Sequence, residues 1–469
     1  MPHLLKPGAH IHFVGICGTA MANVAAALAG DGFQVTGSDS GAYPPMSTLL
    51  AERGIEVMEG YAAANIPEQP DLTIIGNAVS RGNPEVERVL NEGYPYTALA
   101  VLIGEHFLPA KTPVVVTGTH GKTTTTALVT WLLREGGLNP SWLIGGVPAG
   151  LPSGFQSNGG APFALEGDEY DTAFFDKRPK FIHYRPKILI LNNLEYDHAD
   201  IYPDMERLRE VFRHLIRLVP GNGLIIANAD DGEVMRLVEG AFTPVERYSL
   251  RQRDAEWSGA EEGGKLKVSG PEGFYLETSH NLIGRHQGWN LLASIAGAKA
   301  FGLSAEVIAG GVATFTGVKR RGELRGEKGG VKVYDDFAHH PTAIKSTLEG
   351  FRDTYPERRI FAVVEPRSNT MRRPVFQAPL TGAFGAVDRL FIREVPNPEK
   401  CGADGVLDVK KLAREVSLRG TKATAHHDAG AIIDAISAEA SPGDVVVILS
   451  NGGFEGIHQR LLKRLEGSC

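Results

Sequence analysis

The run Gly118-Thr119-His120-Gly121-Lys122-Thr123-Thr124-Thr125 follows a β-branched segment, Val114 to Thr117, and opens a helical pattern from Ala127 to Leu133. No other stretch narrows the possible folds so far. Glycines let the backbone aim its N–H groups at one point, and the helix start adds positive partial charge. Lys122 supplies a full charge for the β and γ oxygens of a triphosphate, and the Thr123 hydroxyl suits Mg²⁺. A strand, loop and helix of this kind belong to a parallel sheet flanked by helices. The spacing departs from Gly-x-x-x-x-Gly-Lys, which would need glycine at Val116, so the loop is a shorter variant. A glycine-rich turn with no ligand would leave the lysine and its threonines without a purpose.

The rest of the chain repeats the alternation of apolar runs and helical patterns. Ile11 to Val14, Met21 to Ala29, Gln34 to Gly37 and Leu72 to Ile75 predict a Rossmann-like unit at the amino terminus. Ile188 to Leu191 and Leu224 to Ala227 extend the phosphate-loop series as strands buried on both faces. Between about Pro244 and Ser279 the pattern turns polar and Gly-rich, with short alternating pieces at Lys265 to Val268 and Phe274 to Leu276, which predicts a small antiparallel addition. Val331 to Tyr334, Phe361 to Val364, Arg389 to Ile392 and Val445 to Leu449 predict a third, again Rossmann-like, unit. The expectation is therefore an α/β chain of three domains, 1–111, 112–315 and 316–469, the central one resembling a P-loop ATPase. Its 469 residues suit that number, since domains run to roughly 150 residues each.

Charge and cysteine usage exclude several functions. A formal net charge of -7, from 48 basic and 55 acidic side chains, offers no overall positive field for nucleic acid. Cys17, Cys401 and Cys469 have no CxxC spacing, which argues against a disulfide framework or zinc site and for a reducing compartment. The first residues hold no apolar leader, and no segment approaches the ~20 apolar residues of a spanning helix. A cytoplasmic protein with no membrane partner is expected.

Two acidic segments stand where strands should end: Glu166-Gly167-Asp168-Glu169-Tyr170-Asp171, and Asn192-Asn193-Leu194-Glu195-Tyr196-Asp197-His198. Either is also what a solvated loop looks like, but ligands gather at the carboxyl ends of parallel strands, and a phosphate-bridging magnesium wants hard oxygen donors. Gly15-x-x-Gly18 lacks the three-glycine spacing of dinucleotide binders; it is read as a packing turn or as a helix start holding a diphosphate, with Asp39 nearby. Lys319-Arg320-Arg321 is either a solvated face or a basic edge that closes over phosphates at a domain junction. Arg367 suits a carboxylate through paired hydrogen bonds, or caps a strand end.

Together, the variant loop, Glu166, the Asp197-His198 pair and Gly284-Arg285-His286-Gln287-Gly288-Trp289-Asn290 resemble the Mur ligase family of peptidoglycan enzymes, along essentially the entire chain. Gly15-Ile16-Cys17-Gly18-Thr19-Ala20-Met21 and Gly37-Ser38-Asp39 are similar to the branch that accepts UDP-N-acetylmuramate. Tyr43 to Thr48, Tyr170 to Arg178, Asp335 to Thr342 and Glu365 to Thr370 narrow the likeness to members that take a preformed murein tripeptide in peptidoglycan recycling.

The resemblance implies an ATP-dependent ligase that activates the muramyl carboxylate as an acyl phosphate and joins it to L-alanyl-γ-D-glutamyl-meso-diaminopimelate. By position it implies Lys122 on the γ-phosphate, with Gly118, Thr119, His120, Gly121 and Thr124 around the ATP. Thr123, Glu166 and His198 would serve magnesium, His286 and Asn290 the adenosine, and Arg321 and Asp336 would reach the nucleotide from the third domain. Lys122, Glu166, His198 and Arg321 would carry the chemistry. Gly15, Cys17, Gly18, Thr19, Asp39 and Ser80 would face the sugar nucleotide, and Arg367 and Asn369 the diaminopimelate end. Arg213 stands where some members carry a carbamylated lysine.

Two other activities compete: a ligase adding free L-alanine to the same nucleotide, and a nicotinamide-dependent oxidoreductase, against which the missing third glycine speaks.

Overall fold

The computed structural model describes residues 5–197, 201–262, 265–399, 401 and 405–467. The first sheet has five parallel strands in the order Val57–Glu59, Gln34–Asp39, His10–Val14, Leu72–Ile75, Tyr96–Ala98. The order reverses on either side of His10–Val14, so the turn that follows Val14 lies at a topological switch point, where open α/β sheets hold their ligands. Gly37 is required beside that turn. A Cβ there would lie 2.6 Å from Ile16 Cδ1 and 2.8 Å from the Phe13 carbonyl oxygen. Gly37→Val is expected to cost about 2–3 kcal/mol through overpacking, read as a lower thermal midpoint.

The second sheet has ten strands. Its parallel centre runs Val245–Ser249, Leu224–Asn228, Ile188–Leu191, Thr112–Thr117, Pro162–Glu166, Ser141–Leu143. Val114 to Val116, Leu189 and Ile190 have no exposed surface, as continuous apolar runs covered on both faces require. The antiparallel addition forms from Trp257–Glu262, Lys265–Ser269 and Tyr275–Thr278. It is shorter than the sequence pattern indicates. Val245–Ser249 continues the parallel ladder, and Trp257–Glu262 joins it in parallel.

The third sheet is ordered Glu323–Lys328, Val331–Asp336, Val445–Leu449, Ile360–Val364, Arg389–Arg393, Lys422–His426, with only the first strand antiparallel. Val445–Leu449 is buried throughout and separates two apolar layers, one built around Ile344, Leu348 and Phe351, the other around Ile432, Ile436 and Leu461.

The chain divides into two compact units. One takes Met1–Glu195, Met205–His280 and Trp289–Thr316, and so holds the first two sheets; the other takes Tyr196–Asp204, Asn281–Gly288 and Gly317–Cys469.

Candidate active site

Strand Thr112–Thr117 lies between Ile188–Leu191 and Pro162–Glu166, with Leu191 opposite Thr117 and Glu166 opposite Val116. The phosphate loop therefore leaves the sheet between two strand ends, one delivering Asn192 and Asn193, the other Glu166 to Glu169. Gly121 sits at φ +80°, and a Cβ there would lie 2.3 Å from Asn290 Oδ1, so both backbone and space demand glycine. The helix Lys122–Glu135 starts at Gly121 with no side-chain cap, which leaves first-turn N–H groups to a ligand. Four consecutive threonines are a poor helix start by propensity. Here Thr126 Oγ1 donates to the Lys122 carbonyl and Thr130 Oγ1 to that of Thr126, each at 2.8 Å, which satisfies hydroxyls buried in the helix.

Asn193 fixes the loop. Its Oδ1 accepts the His120 N–H at 2.7 Å, its carbonyl accepts that of Thr119 at 3.1 Å, and its Nδ2 donates to the His120 carbonyl at 3.2 Å. Asn192 Nδ2 donates to Thr125 Oγ1 at 3.1 Å, and Thr125 Oγ1 donates to Asn290 Oδ1 at 3.2 Å. The His120 ring lies 3.2 Å from Glu195 Oε2. Thr123 Oγ1 donates to Glu166 Oε1 at 2.8 Å, and the Gly145 N–H to Glu166 Oε2 at 2.7 Å. Lys122 Nζ donates to the Gly118 carbonyl at 2.7 Å and pairs with the buried Glu169 at 3.1 Å.

Burial works against the Lys122 charge, but Glu169, Asp168 and Glu166 outweigh it and hold the ammonium above its ordinary value. Burial, and then Asp168, push the Glu166 carboxyl up, against the Gly145 N–H, Thr123 and Lys122. Three carboxylates around one lysine are a surplus of negative charge next to a hydroxyl donor.

Beside Glu166 opens a cavity of about 230 Å³ that also reaches the switch-point turn of the first sheet, with Gly18 and Thr19 on one wall and Gly145, Glu166 and Asp168 on another. The turn is fixed by the Cys17 N–H, which donates to Asp39 Oδ2 at 2.8 Å, and by the Gly15 and Ile16 N–H groups, which donate to the Ser38 carbonyl at 2.9 and 3.0 Å. Ser80 is exposed and stands outside the cavity lining.

The structure thus gathers Gly118, Thr119, His120, Gly121, Lys122, Thr123, Thr124, Glu166 and Asn290 in one place, with Gly15, Cys17, Gly18, Thr19 and Asp39 at the turn. His198 lies outside the described residues. Arg213 is paired with Glu206 at 2.7 Å on an exposed helix face.

In the other unit, His286 Nδ1 meets Ser346 Oγ at 3.0 Å. Asp336 accepts the Gly322 and Ala338 N–H groups at 2.8 Å each, and burial pushes its carboxyl up despite Arg321, whose guanidinium lies 4.8 Å over the Phe337 ring. Of the basic run, Arg320 is structural: it donates to the Ser450 and Gly452 carbonyls at 2.7 Å each. Arg367 is exposed and lies across Gly452, where a Cβ would come within 2.5 Å of its Cδ; Asn369 is exposed close by in sequence.

Glu169, Asn192 and Asn193 have site roles that sequence reasoning did not assign singly. Each lay in an acidic or polar segment already noted, yet nothing in the spacing tells which of several adjacent polar side chains turns inward.

A phosphate loop whose lysine and threonine face buried carboxylates, beside a cavity shared with a second switch-point turn, defines a nucleotide-dependent α/β enzyme. Residues 10–109 match the description "Mur ligase family, catalytic domain", residues 116–298 "Mur ligase middle domain", and residues 320–452 "Mur ligase, glutamate ligase domain". The UDP-N-acetylmuramate–L-alanyl-γ-D-glutamyl-meso-2,6-diaminoheptandioate ligase of Escherichia coli is 40% identical, over 97% of this chain and 98% of that protein. The UDP-N-acetylmuramate–L-alanine ligase of Acetivibrio thermocellus is 31% identical, over 97% and 96%. The crystal structure of a murein peptide ligase from Psychrobacter arcticus superposes with a TM-score of 0.74 at 36% identity, over 98% of this chain and 99% of that one. The chain belongs to the Mur ligase family, whose members are ATP-dependent ligases that form C–N bonds. No helix among the described residues is long and apolar enough to cross a membrane.

Proposed function

We propose that this chain joins UDP-N-acetylmuramate to L-alanyl-γ-D-glutamyl-meso-diaminopimelate at the expense of ATP, in the cytoplasm, returning a cell-wall fragment to the precursor pool. Residues 1–111 hold the sugar nucleotide, 112–315 the ATP and 316–469 the peptide. The observation that supports the reading is the cavity lined by both the Gly18-Thr19 turn and Glu166; a sugar acid bound at one sheet would meet there a triphosphate bound at the other. The higher identity to the tripeptide-adding relative than to the alanine-adding one favours the tripeptide as acceptor.

A carboxylate acylates poorly because its leaving group would be oxide; transfer of the γ-phosphoryl group to it makes an acyl phosphate with a good leaving group. Lys122 exchanges its contact with Glu169 for the transferring phosphoryl oxygens, and the open helix start receives the phosphates. Holding both substrates in line supplies much of the remaining acceleration. The amine then attacks the acyl carbon and phosphate departs. Thr123 and Glu166 fit a magnesium ion: an oxygen donor 2.8 Å from a carboxylate, in a site with more acids than bases. An ion held there by Thr123 and Glu166 would neutralise phosphate charge.

Incubating purified protein with ATP, Mg²⁺ and UDP-N-acetylmuramate, and offering the tripeptide or free L-alanine, tests the reading. Phosphate release and a UDP-muramyl-tripeptide by mass spectrometry are expected with the first acceptor. Product with L-alanine alone would transfer the chain to the biosynthetic activity.

A further inference from the structure

The cavity holds a cation that the phosphate-loop chemistry does not use. Lys180 lines it together with Glu166 and Asp168, with its Nζ 3.6 Å from Asp168 Oδ2 and 5.5 Å from the centre of the Tyr170 ring. Both contacts are loose, being an ion pair beyond hydrogen-bond length and a ring face, so the ammonium keeps donors to offer a ligand.

Its position is built rather than incidental. Asp171–Ala173 and Asp176–Pro179 form a hairpin, pinned by Thr172 Oγ1 donating to the Arg178 carbonyl at 2.8 Å and by two Arg178 hydrogen bonds to Asp176, at 2.9 and 2.8 Å. Arg178 holds the Asp176 carboxyl down to about 2, and His183 closes on the same carboxylate at 3.1 Å. At the hairpin tip Phe174 packs against the first sheet's apolar cluster, which includes Val14 and Ile75, and Phe175 meets Tyr96 edge-on at 5.1 Å. The Lys180 N–H closes the hairpin onto the Tyr170 carbonyl at 3.0 Å. One device thus clamps the two sheets and points an ammonium into the space between them.

A carboxylate entering beside Glu166 and Asp168 meets two like charges, which cost several-fold in affinity unless a cation answers them. Resting on the reading given above, we infer that Lys180 receives the lactyl carboxylate of the muramyl group. It thereby selects an acidic sugar nucleotide over a neutral one and orients the carboxylate oxygens for phosphoryl transfer.

The test compares binding of UDP-N-acetylmuramate with that of UDP-N-acetylglucosamine, which lacks only the lactyl group. In the unaltered protein the muramyl nucleotide should bind more tightly. Lys180→Met should weaken it by roughly 10- to 100-fold, the scale of a lost charge-assisted hydrogen bond. Binding of UDP-N-acetylglucosamine and the KM for ATP should stay unchanged, and Lys180→Arg should retain most of the preference. Lys180→Gln replaces the methionine variant if the latter fails to fold. Equal loss for both sugar nucleotides, or an unaltered preference, overturns the inference. Failure of the unaltered protein to bind or ligate the muramyl nucleotide would instead overturn the activity itself.

Discussion

Lys122→Ala should reduce ATP-dependent ligation by about 10³-fold or more, because the lysine places a full positive charge at the start of the phosphate-loop helix. A sequence view would leave the fold untouched. The Glu169 pair changes that expectation: removing Lys122 takes the ammonium away from a carboxylate whose side chain is only 3% exposed, at a cost of about 3–5 kcal/mol. The double variant Lys122→Ala/Glu169→Gln also removes the buried charge that the lysine balanced, so most of the thermal stability should return while activity does not. Stopped or steady-state phosphate release together with thermal melts separates the two effects. Near-normal turnover in the single variant would defeat the placement of ATP over this loop.

Glu166→Gln is the second large effect expected. The amide keeps an acceptor for one of the two donors, Thr123 Oγ1 at 2.8 Å and the Gly145 N–H at 2.7 Å, so the local geometry should survive. Burial and the neighbouring Asp168 already disfavour the Glu166 charge in the free protein, so a neutral side chain should leave the thermal midpoint equal or higher. Activity should nevertheless fall by about 10²- to 10³-fold, with saturation moved to higher magnesium, since a hard cation loses an anionic oxygen. A magnesium titration of turnover checks this. An unshifted titration in a variant of reduced activity would remove Glu166 from the metal set.

Most of the fold could be read directly from the chain. Runs such as Val114 to Val116 and Val445 to Val447 are apolar at every position, and that pattern is sustained only by strands covered on both faces. Boundaries were less legible. The strand Gln34–Asp39 runs two residues beyond its apolar pattern because Ser38 and Asp39 pair with Met58 and Glu59 while bonding the turn after Val14. The antiparallel addition began later than its polar composition indicated, because Val245–Ser249 takes its ladder partner from Leu224–Asn228 rather than from its own hairpin.

What the sequence determined by itself is the phosphate loop, the parallel sheets around it and the nucleotide-dependent class that follows. Those properties depend on backbone freedom and donors within a few consecutive residues, such as Gly121 ahead of Lys122. Only the tertiary structure decided that Glu169 holds Lys122, that Asn193 props the loop from a strand on the other side, and that Lys180 arrives in the cavity on a hairpin clamped to the first sheet. Charge pairing and burial are set by which strand ends become neighbours, and strand order is a property of the whole sheet, written in no single segment.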